Sequence, residues 1–349
     1  MMTQEEMLVL LDEMLRSHGP IGDEREIDVV LLREFSASGA KTWQDGMSNI
    51  YAHIPGDGPR VLVIVHKDEL GMIVSDIADD GSLRVKALGG SRPWKYGEGP
   101  IDVIADDGSI VPSILSFGST HTRSGSVGEF RAGTRTPDWD DVTLFTGQSR
   151  DDLLEQGVHI GSRAIIAHER KPLMRLPGGH VAGFGLDDRV CMVSLIDALR
   201  QTVQEPTGLD LYYAASSAEE TGYLGAIRVG QVVQPEIIVA LDISPLSPDT
   251  PTEFDERPVI WYTEAAGAYS TKADCDTLMR LGHELGVGAQ GIVFSWLASD
   301  AGGMQKIGLA ARTMAFGPAI LNSHGFEITK AAAIGNVTRL LVAYLRQVS

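Results

Sequence analysis

Three apolar runs in this chain each deliver the backbone to an imidazole or carboxylate side chain, and that pattern restricts the fold more than any other feature. Val61-Leu62-Val63-Ile64-Val65 leads into His66, Leu211-Tyr212-Tyr213-Ala214-Ala215 leads into Glu219-Glu220, and Ile237-Ile238-Val239-Ala240-Leu241 leads into Asp242. In an open α/β sheet, ligands bind in the crevice beyond the carboxyl ends of the strands. Strand-end residues far apart in the sequence therefore converge on one crevice. Asp187 and His324 complete a candidate set of imidazoles and carboxylates with no thiolate, which suits zinc, cobalt or manganese.

An α/β rhythm holds at both ends of the chain. Thr3-x-x-Glu6 reads as a capping box, after which Met7, Leu8, Leu11, Met14 and Leu15 recur at helical spacing. A second helix is predicted from about Glu24 to Phe35, followed by a short strand near Tyr51 and the strand at Val61–Val65. The rhythm resumes with a helix starting near Asp188. Strands at Leu209–Ala215 and Ile237–Leu241 alternate with a helix near Gly222–Val229. A helix at about Asp274–Leu285, strands at Gly291–Phe294 and Ala310–Ala315, and a last helix from about Lys330 to Arg346 complete it.

Between these ends, from Met72 to about His168, the pattern changes to short alternating segments. Asp79-Asp80-Gly81 and Asp106-Asp107-Gly108 are hairpin-type turns. A short helix is a candidate at Ser149–Gln156. The block reads as an inserted β domain (72–171) interrupting a discontinuous catalytic domain (1–71 and 172–349). Within it Gly118–Asp141 lacks periodicity and reads as a long loop, a class usually functional or disordered.

The 349 residues, 43% of them hydrophobic, suffice for a core and for two domains. No run approaches the roughly 18 apolar residues of a membrane span. The N-terminus, Met1-Met2-Thr3-Gln4-Glu5-Glu6, is acidic and does not read as a secretory signal. The two cysteines, Cys191 and Cys275, form no framework of disulfides, which points to a reducing cytoplasm. Lys and Arg number 29 against 47 Asp and Glu, a net charge of −18. Such a surface repels phosphate backbones, so nucleic acid is excluded as an expected partner.

The candidate residues divide the work of metal-assisted hydrolysis. His66-x-Asp68 places two side chains on one side of an extended strand, so Asp68 can accept the second ring N–H of His66 and fix its tautomer. Asp187-Asp188-Arg189 follows Gly183-Phe184-Gly185, whose glycines permit a close backbone approach; Asp187 can bridge two ions while Asp188 caps a helix or pairs with Arg189. Adjacent glutamates on extended backbone point apart, which assigns Glu220 as a ligand and Glu219 as the general base. Lys67 and Glu69 are expected to face away. Each signal also has a plain structural reading: a charged surface turn for His66, a helix N-cap for the aspartates, a solvated acidic turn for the glutamates and a strand-end cap for Asp242. His324 competes with His18, His53, His121, His159, His168, His180 and His283, most of which are expected to be ordinary surface residues.

Taken together, His66-Lys67-Asp68-Glu69-Leu70-Gly71, Leu186-Asp187-Asp188-Arg189-Val190, Ala218-Glu219-Glu220-Thr221-Gly222-x-x-Gly225-Ala226, Asp242 and Ser323-His324 resemble the glutamyl aminopeptidase family of dinuclear metallopeptidases, the tetrahedral dodecameric aminopeptidases. Leu88-Gly89-Gly90 and Leu144-Phe145-Thr146-Gly147 resemble that family's dimerisation domain. The resemblance implies a phosphorylase/hydrolase-like, three-layer α/β domain with a mostly parallel sheet and an inserted PDZ-like β domain. It implies two divalent ions, zinc before cobalt or manganese, one held by His66 and Asp242, the other by Glu220 and His324, with Asp187 between them. Glu219 is then the base, Asp68 orients His66, and Asp300 is a family aspartate near the site. Asn322-Ser323 stands where the family usually has an arginine.

The implied activity is removal of N-terminal residues from peptides by a cytoplasmic homo-oligomer, dimer-based and dodecameric in the family. A related dinuclear carboxypeptidase or N-acyl amino acid deacylase would use the same ligands. A metal-free glycosidase would need only the paired carboxylates, and a non-catalytic relative would need none of them.

Overall fold

Strand Arg60–His66 is apolar at every position from Val61 to Val65, and both of its sides are used. In the computed structural model, which describes residues 1–348, it lies within an eight-stranded mixed sheet. Alternate side chains of a strand point to opposite faces. Val61, Val63 and Val65 accordingly join one core with the helices Gln4–Arg16, Arg25–Ala37, Leu186–Gln204 and Ala331–Gln347. Leu62 and Ile64 join another with the helices Leu224–Val233 and Asp300–Lys306. Helices thus cover both faces of the sheet, and a continuous apolar run is what such a strand requires.

The strands run in the order Lys41–Gln44, Ile50–Ile54, Asp210–Ser216, Arg60–His66, Ile237–Leu241, Arg312–Gly317, Val259–Thr263 and Gln290–Val293. Asp210–Ser216, Arg60–His66, Ile237–Leu241 and Arg312–Gly317 are mutually parallel. The pair Val259–Thr263 and Gln290–Val293 is parallel as well, and the remaining pairings are antiparallel. The four parallel strands end at one edge, so His66, Asp242 and the turn after Ser216 emerge side by side. The sequence reading misses Lys41–Gln44, a half-exposed edge strand, and passes over the apolar run Val259–Thr263. The capping box is present: Thr3 Oγ1 accepts the Glu6 N–H at 3.3 Å, and Glu6 Oε2 accepts the Thr3 N–H at 2.7 Å.

Strands Gly71–Ile77, Leu83–Leu88, Thr143–Phe145, Ile110–Ser116, Gly99–Ile104 and Arg163–Ile166 close into a barrel. Its own core includes Met72, Val85, Val103, Leu115 and Leu144. Both Asp-Asp-Gly turns close hairpins, with Gly81 and Gly108 at φ 79° and 86°, where a side chain would be strained. The short helix runs over Arg150–Glu155 with Ser149 as its cap. The segment 118–141 departs from expectation. It contains a helix, Gly125–Ala132, and a 3₁₀ turn, Trp139–Asp141. None of the helix residues is buried, so no apolar stripe marks it in the sequence. Trp139 is the anchor of the segment: its ring is buried and its Nε1–H donates to the Ser91 carbonyl at 3.0 Å.

Buried charges tie barrel to sheet. Lys171, just past the last barrel strand, has no exposed surface. Its ammonium donates to Glu69 Oε1 at 2.7 Å and lies 2.9 Å from His18 Nδ1. His18 Nε2 in turn lies 2.9 Å from Asp102 on strand Gly99–Ile104. Lys67 is equally buried and pairs with Glu24 at 2.8 Å and with Asp28. Removing one partner of such a pair leaves the other charge uncompensated. Lys171→Ala would leave Glu69 with the Gly19 N–H at 2.8 Å and with Arg189, 3.9 Å away, as its only remaining ion-pair partner among the described residues. Urea unfolding should show a loss of about 3 kcal/mol; a loss indistinguishable from zero would refute the role given to this pair.

Candidate metal centre

His66 ends its strand with its ring almost wholly buried. Its Nε2 lies 3.1 Å from Asp187 Oδ1. Its Nδ1 lies 3.2 Å from the Asp68 carbonyl and 3.6 Å from the Asp68 carboxylate. That carboxylate has another task besides facing the ring. It accepts the Glu219 N–H at 3.0 Å and the Glu220 N–H at 3.2 Å, so one side chain joins two strand ends. Glu219–Thr221 form a 3₁₀ turn entered through Ala218 in the left-handed region, φ 52°. Because the backbone turns here, Glu219 and Glu220 both line the same cleft, where extended backbone would have sent them apart.

Asp187 occupies the centre. Its Oδ1 faces His66, and its Oδ2 lies 3.8 Å from His324 Nε2. Glu220 Oε1 is also 3.8 Å from His324 Nε2. Donor atoms of His66, Asp187 and Glu220 lie within 4.8 Å of one another, as do those of His66, Asp188 and Asp242. His66, Asp187, Glu219, Glu220, Asp242 and His324 all line one cleft, with Asp68 behind them. The Asp187–Asp188 peptide bond is cis.

Two readings of individual residues change. Asp188 makes no capping hydrogen bond and does not pair with Arg189. The backbone of Asp187 and Asp188 is non-helical, so regular helix begins only after Asp188, and the buried Asp188 carboxylate makes no hydrogen bond to the helix N–H groups. Arg189 turns instead toward the Lys67 carbonyl and Glu69. His18 is not a surface histidine but a buried link between sheet and barrel. Asp300 stands near the site, as expected, behind the cleft wall, where it receives the hydroxyl of Ser216, the residue paired with His66 across the sheet. Lys67 and Glu69 do face away, into their buried ion pairs.

Glu327 is the residue the sequence reading overlooked. It is 1% exposed, and its two oxygens accept the N–H groups of Asp187 and His324, each at 3.0 Å. Strand Phe326–Lys330 pairs with His180–Phe184, opposing Glu327 to Gly183, and so carries it to the aspartate loop. Only its closeness to His324 in sequence hinted at this. The barrel also reaches the site. A Cβ on Gly89 (φ 72°) would approach Glu220 Cβ to 3.2 Å, and one on Gly90 would meet the His324 ring at 2.8 Å. The Lys95 ammonium holds the Ser323 carbonyl at 3.2 Å.

Burial is the largest influence on the acids. It drives Glu219, Asp242, Asp188 and Glu327 well above the usual carboxylate range, with neighbouring carboxylates adding to the effect. Glu220 and Asp300 are pushed up to about 7 for the same leading reason. Burial disfavours the charged form of His66, but Asp187 and Asp68 outweigh it and hold the ring well above its ordinary pKa. Two imidazoles and a crowd of converging carboxylates, with no thiol lining the cleft, make a donor set that fits hard or borderline divalent cations. The two oxygens of Asp187 aimed at different histidines fit a bridging ligand.

With this geometry in view, the comparison with known proteins is direct. The family model of the M42 glutamyl aminopeptidases matches residues 48–340. The chain belongs to that family. A lysyl aminopeptidase of Pyrococcus furiosus is 30% identical over 248 residues, covering 67% of this chain and 66% of that relative, just under two thirds of its length. The aminopeptidase APDkam598 of Desulfurococcus kamchatkensis superposes with a TM-score of 0.88 at 20% identity, over 99% of this chain and 95% of that one. The TET1 peptidase of Pyrococcus horikoshii, described as assembling into a tetrahedron or a large octahedral shell, superposes with a TM-score of 0.84 at 24% identity, over 97% and 98%. The α/β fold with its mixed sheet is that of the TET aminopeptidases. Among the described residues no helix is long and apolar enough to cross a membrane.

A ligand that binds only the folded state stabilises it by mass action. Adding a divalent cation to metal-stripped M42 protein at a hundredfold its Kd should raise stability by about 2.7 kcal/mol. The readout is the melting temperature with and without chelator; no shift for zinc, cobalt or manganese would reject the metal centre.

Proposed function

We propose that this chain is a metal-dependent aminopeptidase that removes N-terminal residues from peptides with two divalent ions, zinc before cobalt or manganese. The observation that carries the reading is the placement of the Asp187 oxygens, one toward His66 and one toward His324. In this reading His66 and Asp242 hold one ion, Glu220 and His324 hold the other, and Asp187 is shared. When bound, such ions supply Lewis acidity toward the scissile carbonyl and toward water.

The protein's own residues supply the rest. Asp68 and the Asp68 carbonyl hold His66 in one tautomer and orientation. Asp68 and Glu327 spend their oxygens on backbone N–H groups, which fixes the Glu219-Glu220 turn, the Asp187 loop and the His324 loop against one another. Glu219 lines the cleft beside these groups without being one of the proposed ligands. It accepts the proton of the attacking water at its carboxylate and returns it to the leaving amine. Its burial raises its pKa, which suits a group that must gain and lose a proton. The carboxylates at the cleft floor favour the cationic amine of a peptide N-terminus.

The deciding assay compares amino-acid anilides with N-acyl amino acids. Turnover of the anilides alone supports the aminopeptidase; turnover of the N-acyl compounds alone would move the chain to deacylases. Glu219→Gln should lower kcat by roughly 10²–10⁴ while metal content measured by elemental analysis is unchanged. Full activity in that variant removes Glu219 as the base.

The same reading divides the chain into a phosphorylase/hydrolase-like three-layer catalytic unit (1–71 and 172–349) and a PDZ-like insert (72–171). The closed barrel with its separate core supports that division. The likeness to shell-forming TET peptidases supports a homo-oligomer built from dimers through the insert, with a dodecamer as the full assembly. Analytical ultracentrifugation should find a species far heavier than the 37.5 kDa chain; a monomer at micromolar concentration would contradict it.

A further inference from the structure

The cleft, about 210 Å³ in volume, has a charged floor and apolar walls. Tyr223 leaves the catalytic turn at φ 62°, Ile243 and Pro245 follow Asp242, and Leu297 precedes the helix that Asp300 begins. Trp261 closes the side. Its Nε1–H is already donated to Ser244 Oγ at 2.6 Å, so it presents carbon to the cleft. The Tyr223 hydroxyl is directed to the Ala298 carbonyl at 3.4 Å. Ser323 is the one uncharged hydroxyl on these walls besides Tyr223.

Among the described residues no lysine or arginine lines the cleft. Two ammonium groups lie against its lining residues from outside the cleft. Lys95 holds the carbonyls of Asn322 and Ser323, and Lys306 sits 5.8 Å over the Tyr223 ring. The carboxylates that line the cleft are Asp187, Glu219, Glu220 and Asp242, each already given a part in the proposed chemistry.

We infer that the substrate's N-terminal side chain is neutral and apolar, of the leucine, methionine or phenylalanine kind. Its contacts are with Tyr223, Ile243, Pro245, Trp261 and Leu297. This rests on the aminopeptidase reading and goes beyond it, because the family name and the Pyrococcus furiosus relative's name specify glutamyl and lysyl substrates. A glutamate side chain laid on these walls would lose water with no lysine or arginine among the described lining residues to receive it, and a lysine side chain would meet carbon there, because the lining carboxylates stand at the floor, where the substrate's own N-terminal amine and the proposed ions lie. Burial of an unpaired charge is among the costliest changes a site can make.

The test uses the full-length, metal-loaded protein and a panel of aminoacyl methylcoumarin amides carrying leucine, methionine, phenylalanine, glutamate, aspartate, lysine or arginine. The expected result is a kcat/KM for the best apolar substrate that exceeds those for glutamate and lysine by roughly tenfold or more. A leading glutamate or lysine amide overturns the inference and leaves the aminopeptidase reading intact. No hydrolysis of any amide overturns both. A second arm places a cation on the wall. Leu297→Lys should raise the glutamate-to-leucine ratio of kcat/KM by roughly tenfold. An unchanged ratio in a variant whose circular dichroism and melting temperature match the parent removes Leu297 from the side-chain wall. Because the substrate panel is run on the parent protein, it decides the main question however the variant folds.

Discussion

Carboxylates that would repel one another in a dry interior are forced together by the ends of parallel strands, and the rest of the molecule is arranged around that crowding. Asp68, Asp187, Asp188, Glu219, Glu220, Asp242 and Glu327 gather about His66 and His324. Like charges at such separations do not all ionise unless something compensates them. Two of these acids are compensated by the backbone: Asp68 and Glu327 each accept two N–H groups. The others face the cleft or lie unpartnered beneath it, which is where the proposed cations would provide the missing positive charge. A sheet with helices on both faces is stiff enough to hold groups in positions they would otherwise leave, and that stiffness comes from the continuous apolar runs with which the chain builds its central strands.

The barrel is part of this arrangement. Its Gly89-Gly90 turn packs against Glu220 and the His324 ring, two residues proposed to share an ion, and Lys95 beside it holds the His324 loop by a carbonyl. At its other end the barrel is joined to the sheet through Asp102, His18, Lys171 and Glu69. The position of His324 is therefore set from outside the sheet. A barrel that also mediates assembly, as proposed, would couple the geometry of the centre to the oligomer.

Much of the candidate site was legible because its residues end strands. His66 and Asp242 stand directly after apolar runs, and a charged side chain in that place needs a partner. Asp187 was legible through the glycines before it. The supporting residues were not. Glu327 lies on a short strand of a separate sheet, and nothing in its neighbourhood says which backbone groups it will receive. Asp188 carries the same local signal as a helix cap, yet its buried carboxylate turns away from the helix N–H groups. Helix Gly125–Ala132 left no trace because it buries no face.

By itself the sequence determined most of the central elements, the apolar runs that bury the sheet on both sides, the closing turns of the barrel and the chemical types available at the strand ends. These are local properties, set by side-chain periodicity and by what glycine and aspartate permit. Tertiary structure alone decided how those groups face one another: that Asp187 straddles two histidines, that both glutamates of the turn enter one cleft, and that the cleft walls are apolar with no lysine or arginine among the described residues that line them. The reason is distance along the chain. Asp187 meets His66 and His324 only after strands from three regions are aligned, and the direction of a side chain at such a junction follows from backbone turns that no short stretch of sequence specifies.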